Sequence, residues 1–229
     1  MNGRRRRTVL VLALGAAVLA AGCTGRQARL QEALRAKLAA SKVTVVDSFD
    51  ARLAWKTELD QGDPATLEAV AADAAKKDQA MAVTFELGKK KKVVLGRPMG
   101  SRGVGRDLSK YNLLALDVDS KLAAKCGLSV AMHTVPGWKY FESPVVVIRP
   151  GINKDVVFRL DLPNFKCEAS KWLHNRPIAN RSDTRKLVLV IHPVVGGSIR
   201  INNLRVGAFQ APAAAKTAAA KAAALKATK

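Results

Sequence analysis

The chain is constrained most by a series of short apolar runs between Lys42 and Phe209. The runs are five to nine residues long, rich in Val, Leu and Ile, and bounded by Gly, Pro, Asn or Asp, a pattern typical of β-strands. So many short strands in one stretch favour an all-β sandwich. The nine predicted strands are Val43 to Phe49, Ala80 to Leu87, Lys92 to Gly96, Asn112 to Ser120, Leu128 to Thr134, Tyr140 to Ile148, Asp155 to Leu162, Lys186 to His192 and Ser198 to Val206.

One short internal helix is predicted between the first two of these strands. Asp63 is suited to a helix cap and Pro64 to the first helical position, and apolar residues follow at helical spacing, namely Leu67, Val70, Ala71 and Ala74. A region as long as residues 42–209 buries roughly 70% of the surface that its unfolded chain exposes. Residues 42–209 are therefore predicted to form one β-sandwich domain.

The first 22 residues have the organisation of an export signal. Arg4 to Arg7 form a positive start, Val9 to Ala21 form an apolar run of 13 residues, and Cys23 follows Gly22. The run is shorter than the roughly 20 apolar residues that a membrane-spanning helix needs. The segment resembles the signal peptide and lipobox of bacterial lipoproteins, which implies that Cys23 is lipidated and anchors the protein to a membrane. An ordinary secretory signal, with Cys23 as an incidental thiol, is the alternative.

The residue after Cys23 bears on location. In lipoproteins of diderm bacteria an Asp at this position signals retention at the inner membrane. This chain has Thr24 instead, so the resemblance implies a cell-envelope protein anchored in the outer membrane.

The chain is strongly basic, with 39 Lys and Arg against 18 Asp and Glu and a net charge of +21. A net charge of this size indicates which partners the protein binds, or that it is kept soluble by charge, and does not indicate its fold. Inside a cell it would favour nucleic acid. Export argues against nucleic acid and favours lipopolysaccharide phosphates, anionic glycans or phospholipid headgroups, unless the charge serves solubility alone.

Two low-complexity segments flank the domain. In residues 23–41, Leu30, Leu34 and Leu38 recur every four residues and predict a helical spacer, which either holds the domain off the membrane or docks on it. Residues 210–229 are rich in Ala and Lys. Three of their lysines, Lys216, Lys221 and Lys226, are spaced five apart. Successive lysines at this spacing rotate by about 140° around a helix, so they form no amphipathic face. The tail is predicted to be a flexible cationic extension or, alternatively, an electrostatic tether.

Cys126 and Cys167 are an even pair of thiols in an oxidising compartment. A disulfide between them would add roughly 4 kcal/mol of stability on the chain-entropy model. The alternative is two buried cysteines that pack as small hydrophobic residues.

No catalytic or metal-binding motif is found in the sequence. The three histidines, His133, His174 and His192, share no metal-ligand spacing with Cys or a carboxylate. Glu142 is the one acidic residue in suggestive company, and glycoside hydrolysis generally needs a pair of carboxylates.

Three stretches resemble the galactose-binding-like jelly roll of carbohydrate-binding modules beside bacterial polysaccharide-degrading enzymes: Val46 to Asp50 with Trp55, Asp107 to Val118, and Gly197 to Val206. The resemblance implies a jelly-roll fold and a glycan ligand. Many such modules hold a structural calcium with an Asp where this chain has Asn202, together with carboxylates such as Asp47 and Asp50. A neutral amide weakens a calcium site, so we expect no cofactor, with a structural calcium as the disfavoured alternative.

Two groups of aromatic and planar polar residues are candidates for the glycan site. Flat aromatic faces can stack on the C–H surfaces of sugars, while planar polar groups take the hydroxyls. Alternatively each tryptophan, Trp55 included, is a core or loop anchor. The first group is His133, Trp138, Tyr140 and Phe141, and the second, within the long connection from Pro163 to Arg185, is Trp172, His174, Asn175, Arg176 and Asn180.

Together these features predict a non-catalytic, lipid-anchored cell-envelope protein whose jelly roll binds a glycan or an anionic envelope polymer. A structural or scaffolding lipoprotein that contacts a partner protein or polymer by charge, without sugar recognition, is the alternative. A third hypothesis is a hydrolase with two carboxylates facing one groove.

Overall fold

The computed structural model describes residues 25–49, 54–73, 78–100 and 105–209. Cys23, Asp50 and the Ala/Lys tail lie outside these residues. The described part contains one α-helix, α1 (residues 25–39), two 3-10 turns (Glu168–Ser170 and Arg181–Asp183) and twelve strands. The strands are β1 (Lys42–Asp47), β2 (Lys56–Thr57), β3 (Ala65–Asp73), β4 (Asp78–Phe85), β5 (Val93–Pro98), β6 (Leu113–Ser120), β7 (Cys126–Thr134), β8 (Lys139–Glu142), β9 (Val146–Ile148), β10 (Gly151–Arg159), β11 (Thr184–His192) and β12 (Gly197–Ala208).

The strands form two antiparallel sheets of six strands each. The first sheet has the order β10-β6-β12-β4-β3, with β1 also paired to β12. The second has the order β2-β5-β11-β7-β8, with β9 also paired to β7. The sheets pack face to face around one large apolar core, so the predicted all-β sandwich is confirmed. In the described part of the chain, no helix is both long and apolar enough to span a membrane.

Alternation along the strands sets the two faces of each sheet. In β7, Leu128, Val130 and Met132 point into the core, and Ser129 and Ala131 point to the outer face of the second sheet. The same alternation in β11 leaves Val188 and Val190 on that outer face, where they form a small buried cluster with Val94 and Ala131. The second sheet therefore presents an apolar strip on its outer face.

The predicted spacer is helical and lies against the first sheet. Leu34 and Leu38 are buried against Leu113, Ala115 and Val157. This contact explains the nearly continuous apolar sequence of β6, because the core covers one face of that strand and α1 covers the other. Of the two alternatives for the spacer, the structure therefore shows the docked helix.

The predicted internal helix after Pro64 is wrong, because the segment forms strand β3 and pairs with β4 from Ala65↔Phe85 onward. Asp63 does not cap a helix. Its carboxylate accepts hydrogen bonds from the backbone N–H groups of Lys90 (3.0 Å) and Lys92 (3.3 Å). Ala65 and Leu67, two residues apart, pack against the core, so a strand period is realised in place of the helical one.

The predicted disulfide is not formed, and both cysteines are buried free thiols. Cys126 is the first residue of β7. Cys167 follows Lys166, whose backbone pairs with that of Glu142, and Glu142 is in turn paired with Ala131 of β7. Ala131 is five residues along β7 from Cys126, a distance of about 17 Å. A disulfide needs Cα atoms within about 7 Å, so the thiols are packed as the alternative describes.

Candidate functional site

Four rings form an aromatic site on the second sheet: His133, Trp138, Tyr140 and Trp172. The antiparallel register of β7 and β8 pairs His133 with Tyr140, and the two rings meet edge to face with centroids 5.2 Å apart. Trp138 lies in the turn between these strands and has a positive φ of 50°. This turn lays its indole over the imidazole of His133, with centroids 5.1 Å apart and planes inclined by 28°.

Trp172 reaches the same place from the connection between β10 and β11. Lys171 and Trp172 both have left-handed backbone conformations, with φ of 51° and 63°, which cost roughly 1 to 2 kcal/mol per residue for non-glycine residues. The Ser170 hydroxyl holds this turn, because it accepts from the Cys167 N–H (3.0 Å) and shares its one proton between the carbonyl groups of Cys167 (2.8 Å) and Leu173 (2.7 Å). The Trp172 indole lies 6.1 Å from the Tyr140 ring as a result.

A cavity of about 540 Å³ lies between β8 and this connection. Trp138, Tyr140, Trp172 and Arg176 line it, and its volume falls within the range of small-molecule sites, about 300 to 1,000 Å³. The side chains of Trp138 and Trp172 are 54% and 55% exposed, whereas Trp55 is 3% exposed and belongs to the core. Trp55 is therefore an anchor, while the other two tryptophans present free faces at the cavity.

The two groups predicted from the sequence thus contribute to one site. His133 and Phe141 join it from the first group, His133 through its ring contacts and Phe141 as a lining residue with a buried side chain. His174 and Asn175 are exposed and are not among the described residues that line the cavity. Asn180 lies in the turn before β11 and is also not a lining residue.

A buried carboxylate supports the aromatic site from behind. Glu142 accepts hydrogen bonds from the Tyr140 hydroxyl (2.9 Å) and the Ser129 hydroxyl (3.1 Å), and it pairs with the Lys166 ammonium (3.0 Å). Ser129 also lies 3.4 Å from Nε2 of His192. Burial and the Glu142 carboxylate raise the pKa of Tyr140 well above its ordinary value. The phenol therefore stays protonated and acts as the hydrogen-bond donor to Glu142.

His133 is neutral at physiological pH. Burial lowers the pKa of His133, and the nearby Lys186 ammonium acts in the same direction. A neutral imidazole carries one donor and one acceptor nitrogen. The cavity itself is lined by the rings of Trp138, Tyr140 and Trp172 and by three charged side chains, those of Lys139, Glu168 and Arg176. His133 is buried behind Trp138 and Tyr140 and supports their rings.

The described lining of this cavity includes one carboxylate, that of Glu168. Glycoside hydrolysis generally uses two carboxylates on either side of the scissile bond. Glu142 is 6% exposed and engaged with three partners, and it does not line the cavity. The described lining of the cavity therefore does not contain the pair of facing carboxylates that the hydrolase hypothesis requires.

Asp47, considered above as a calcium ligand, is engaged with protein groups. Its carboxylate accepts hydrogen bonds from the Phe49 N–H and the Trp55 indole N–H, each at 2.8 Å, and it pairs with Arg97 at 2.7 Å. Within the described residues, no cluster of three or more His, Cys, Asp or Glu side chains is placed to hold a metal ion.

No protein-family model matches the chain, and no curated protein matches it either. Solved structures do. The family 11 carbohydrate-binding module of the cellulosomal cellulase Lic26A-Cel5E of Clostridium thermocellum matches with a TM-score of 0.51 and 15% identity, over 75% of this chain and 98% of that module. This chain has a jelly-roll fold like that of carbohydrate-binding modules.

Two further matches are similar in extent over this chain. A module described as specific for non-crystalline cellulose matches with a TM-score of 0.51 and 12% identity, over 72% of this chain and 94% of that one. The agarase AgWH50C matches with a TM-score of 0.52 and 11% identity, over 74% of this chain but 25% of the agarase. The jelly roll therefore corresponds to a whole binding module and to about a quarter of that enzyme.

Proposed function

We propose that this protein is a non-catalytic, lipid-anchored component of a bacterial cell envelope whose jelly roll binds a glycan at the aromatic site. The observation that carries the proposal is the pair of half-exposed indoles, Trp138 and Trp172, at one cavity of about 540 Å³. Exposed aromatic faces are costly in water unless a partner covers them, and sugars offer C–H faces that do so. The family 11 module with the same fold has been solved in complex with a β-1,3-1,4-mixed-linked tetrasaccharide.

The direct test is binding of the full chain to purified envelope polysaccharides, compared with the variants Trp138→Ala and Trp172→Ala. We expect each variant to bind about tenfold or more weakly, because a stacked indole at the centre of a site typically carries more than about 1.4 kcal/mol. Leu173→Ala is the matched control, since Leu173 is 60% exposed in the same turn but is not a lining residue. Unchanged binding in both tryptophan variants would rule out this site.

Anchoring at Cys23 is a separate part of the proposal. It is supported by the arginine-rich start, the apolar run and the small residues before Cys23. Several acyl chains on one residue give stable membrane attachment, and Thr24 favours the outer membrane. Metabolic labelling with a fatty acid should mark the wild-type chain and not Cys23→Ser, and equal labelling of the two would contradict anchoring at this residue.

A charge-driven scaffold is the second candidate, and the net charge of +21 favours it. Such a protein would hold an anionic polymer or a partner protein without sugar recognition. Contacts of that kind weaken as salt screens the charges, whereas stacking on an indole does not depend on charge. The salt dependence of binding therefore separates the two candidates.

A further inference from the structure

A second, smaller cavity lies on the side of the molecule where α1 meets the β9–β10 connection. Its volume is about 170 Å³, and the basic side chains of Arg35, Lys125 and Arg149 line it together with Gln27 and Asn153. This volume is below the range of drug-sized ligand sites, so the cavity suits one compact group rather than a whole molecule. Nothing in the aromatic site uses these residues.

The walls of this cationic cavity are held by hydrogen bonds between α1 and the strands. Gln27 donates from its side chain to the Val145 carbonyl at 3.1 Å. Gln31 forms a pair of bonds with the backbone of Val157, donating to its carbonyl at 2.9 Å and accepting from its N–H at 3.0 Å. Arg35 donates from Nε to the Asp155 carbonyl at 3.2 Å. The helix is therefore fixed in place beside the cavity.

The opposite wall is fixed in the same way. The side-chain oxygen of Asn153 accepts from the Arg149 N–H at 3.1 Å, and its amide donates back to the Arg149 carbonyl at 2.8 Å. The register that pairs Cys126 with Ile148 places Lys125 across from Arg149. Lys125 directly precedes β7, Arg149 directly follows β9, and both line the cavity. Two positive charges at one small cavity repel each other, and a bound anion would relieve this repulsion.

These cations have no acidic partner within the described residues. The ion pairs of that part of the chain involve neither Arg35, Lys125 nor Arg149. The backbone carbonyl of Asp155 accepts the hydrogen bond from Arg35, but the carboxylate of Asp155 is paired with Arg205. The arrangement concentrates three positive charges at one pre-built cavity without internal neutralisation.

We propose that this cavity binds a phosphate group, and that the phosphate belongs to an anionic membrane lipid. Guanidinium and ammonium groups are the usual partners of phosphate oxygens. Gln27 is four residues after Cys23, and four residues span at most about 14 Å, so the cavity lies within reach of a membrane surface to which Cys23 is attached. The assignment to a lipid source rests on the proposed anchoring, whereas the phosphate site itself does not.

The test uses residues 24–229, without the signal segment and Cys23, so that vesicle binding reports neither an acyl anchor nor the arginine-rich apolar start of the chain. This chain should sediment with vesicles of phosphatidylcholine and phosphatidylglycerol but not with phosphatidylcholine alone, and inorganic phosphate should compete. Adding Lys125→Gln and Arg149→Gln should weaken binding about tenfold or more, because each substitution removes a charge-assisted contact to the phosphate. Both side chains are exposed, so folding is not at risk.

The matched control is Lys56→Gln with Lys89→Gln, which removes the same charge from exposed positions, Lys56 being on the opposite edge strand of the second sheet. We expect it to change binding by less than about twofold. An equal loss in the control, or no binding of phosphate and of anionic vesicles, would overturn the proposal. Direct binding of inorganic phosphate, measured by calorimetry, without any vesicle binding would keep the phosphate site and rule out the membrane lipid as its source.

Discussion

The Tyr140 hydroxyl connects the aromatic site to the interior of the second sheet. It donates a hydrogen bond to the buried Glu142 carboxylate, which also accepts one from the Ser129 hydroxyl and pairs with the Lys166 ammonium. The ring is therefore fixed by a charge-assisted bond and does not depend on ligand for its position.

Tyr140→Phe removes this donor and leaves a buried carboxylate oxygen with one bond fewer. We expect the free energy of unfolding to fall by about 1 to 3 kcal/mol, measured by urea denaturation. Tyr111→Phe is the matched control, because its hydroxyl makes a longer bond of 3.3 Å to a neutral Thr44 hydroxyl and should cost less. Equal losses in the two variants would contradict a special role for the bond to Glu142.

The buried His133 and the partly buried His192 make stability depend on pH. Burial lowers the pKa of His133 and of His192 below the ordinary value of 6.5, so the unfolded chain binds protons more readily than the folded one. This contribution to stability is complete above about pH 6.5, is lost as the pH falls from there toward the folded pKa values, and changes no further below them.

The free energy of unfolding should therefore decrease between about pH 7 and pH 5, and His133→Gln and His192→Gln should each flatten the decrease. His174→Gln is the control for the substitution itself, because it replaces a histidine whose side chain is exposed. Denaturant titrations at several pH values measure the slope. A wild-type curve that is flat across this window would contradict the role of the two histidines.

Individual residues of the candidate site differ in how well the sequence predicted them. Trp138, Tyr140, Trp172 and Arg176 could be proposed because aromatic and planar polar residues are clustered locally in the chain. The support from Ser129, Lys166 and His192 was not predicted. These residues lie on β7, in the loop after β10 and on β11, and only strand register brings them together.

Among the elements, α1 is the one whose placement gives the clearest energetic expectation. Leu38 is 4% exposed beneath the helix, while Leu30, on the same helix, is 57% exposed. Leu38→Ala should lower the free energy of unfolding by about 2 to 5 kcal/mol, because it leaves a cavity against the first sheet. Leu30→Ala should have little effect. Urea denaturation of both variants measures the two changes. Similar decreases in the free energy of unfolding would show that α1 does not dock on the first sheet through Leu38.

Eight of the nine predicted strands correspond to one strand each, the ninth, Tyr140 to Ile148, is divided into β8 and β9, and β2 and β3 were missed. The apolar runs were long enough to identify, but β2 has two residues and carries little pattern. β3 has the sequence ATLEAVAAD, in which alanines fit either period and Asp63-Pro64 imitates a helix start. Its pairing with β4 decides the conformation, a tertiary preference that local sequence does not contain.

At the scale of the whole molecule, the short apolar runs predicted the sandwich, because strands with one apolar face must bury those faces together in a shared core. The joining of both aromatic groups at one cavity was not predicted, since Trp138 and Trp172 belong to different loops and meet only when the connection before β11 folds over β8. The absence of the disulfide has the same origin, because the separation of Cys126 and Cys167 depends on register along β7.

The central claim is that the jelly roll recognises a glycan by stacking rather than by charge. Calorimetric titration of the full chain with an envelope polysaccharide, at low and at moderate ionic strength, tests it most directly. We predict that the affinity of the wild-type chain is largely retained at the higher salt concentration and is lost in Trp172→Ala at both. An affinity that disappears with salt in the wild-type chain, and is the same in Trp172→Ala, would contradict it.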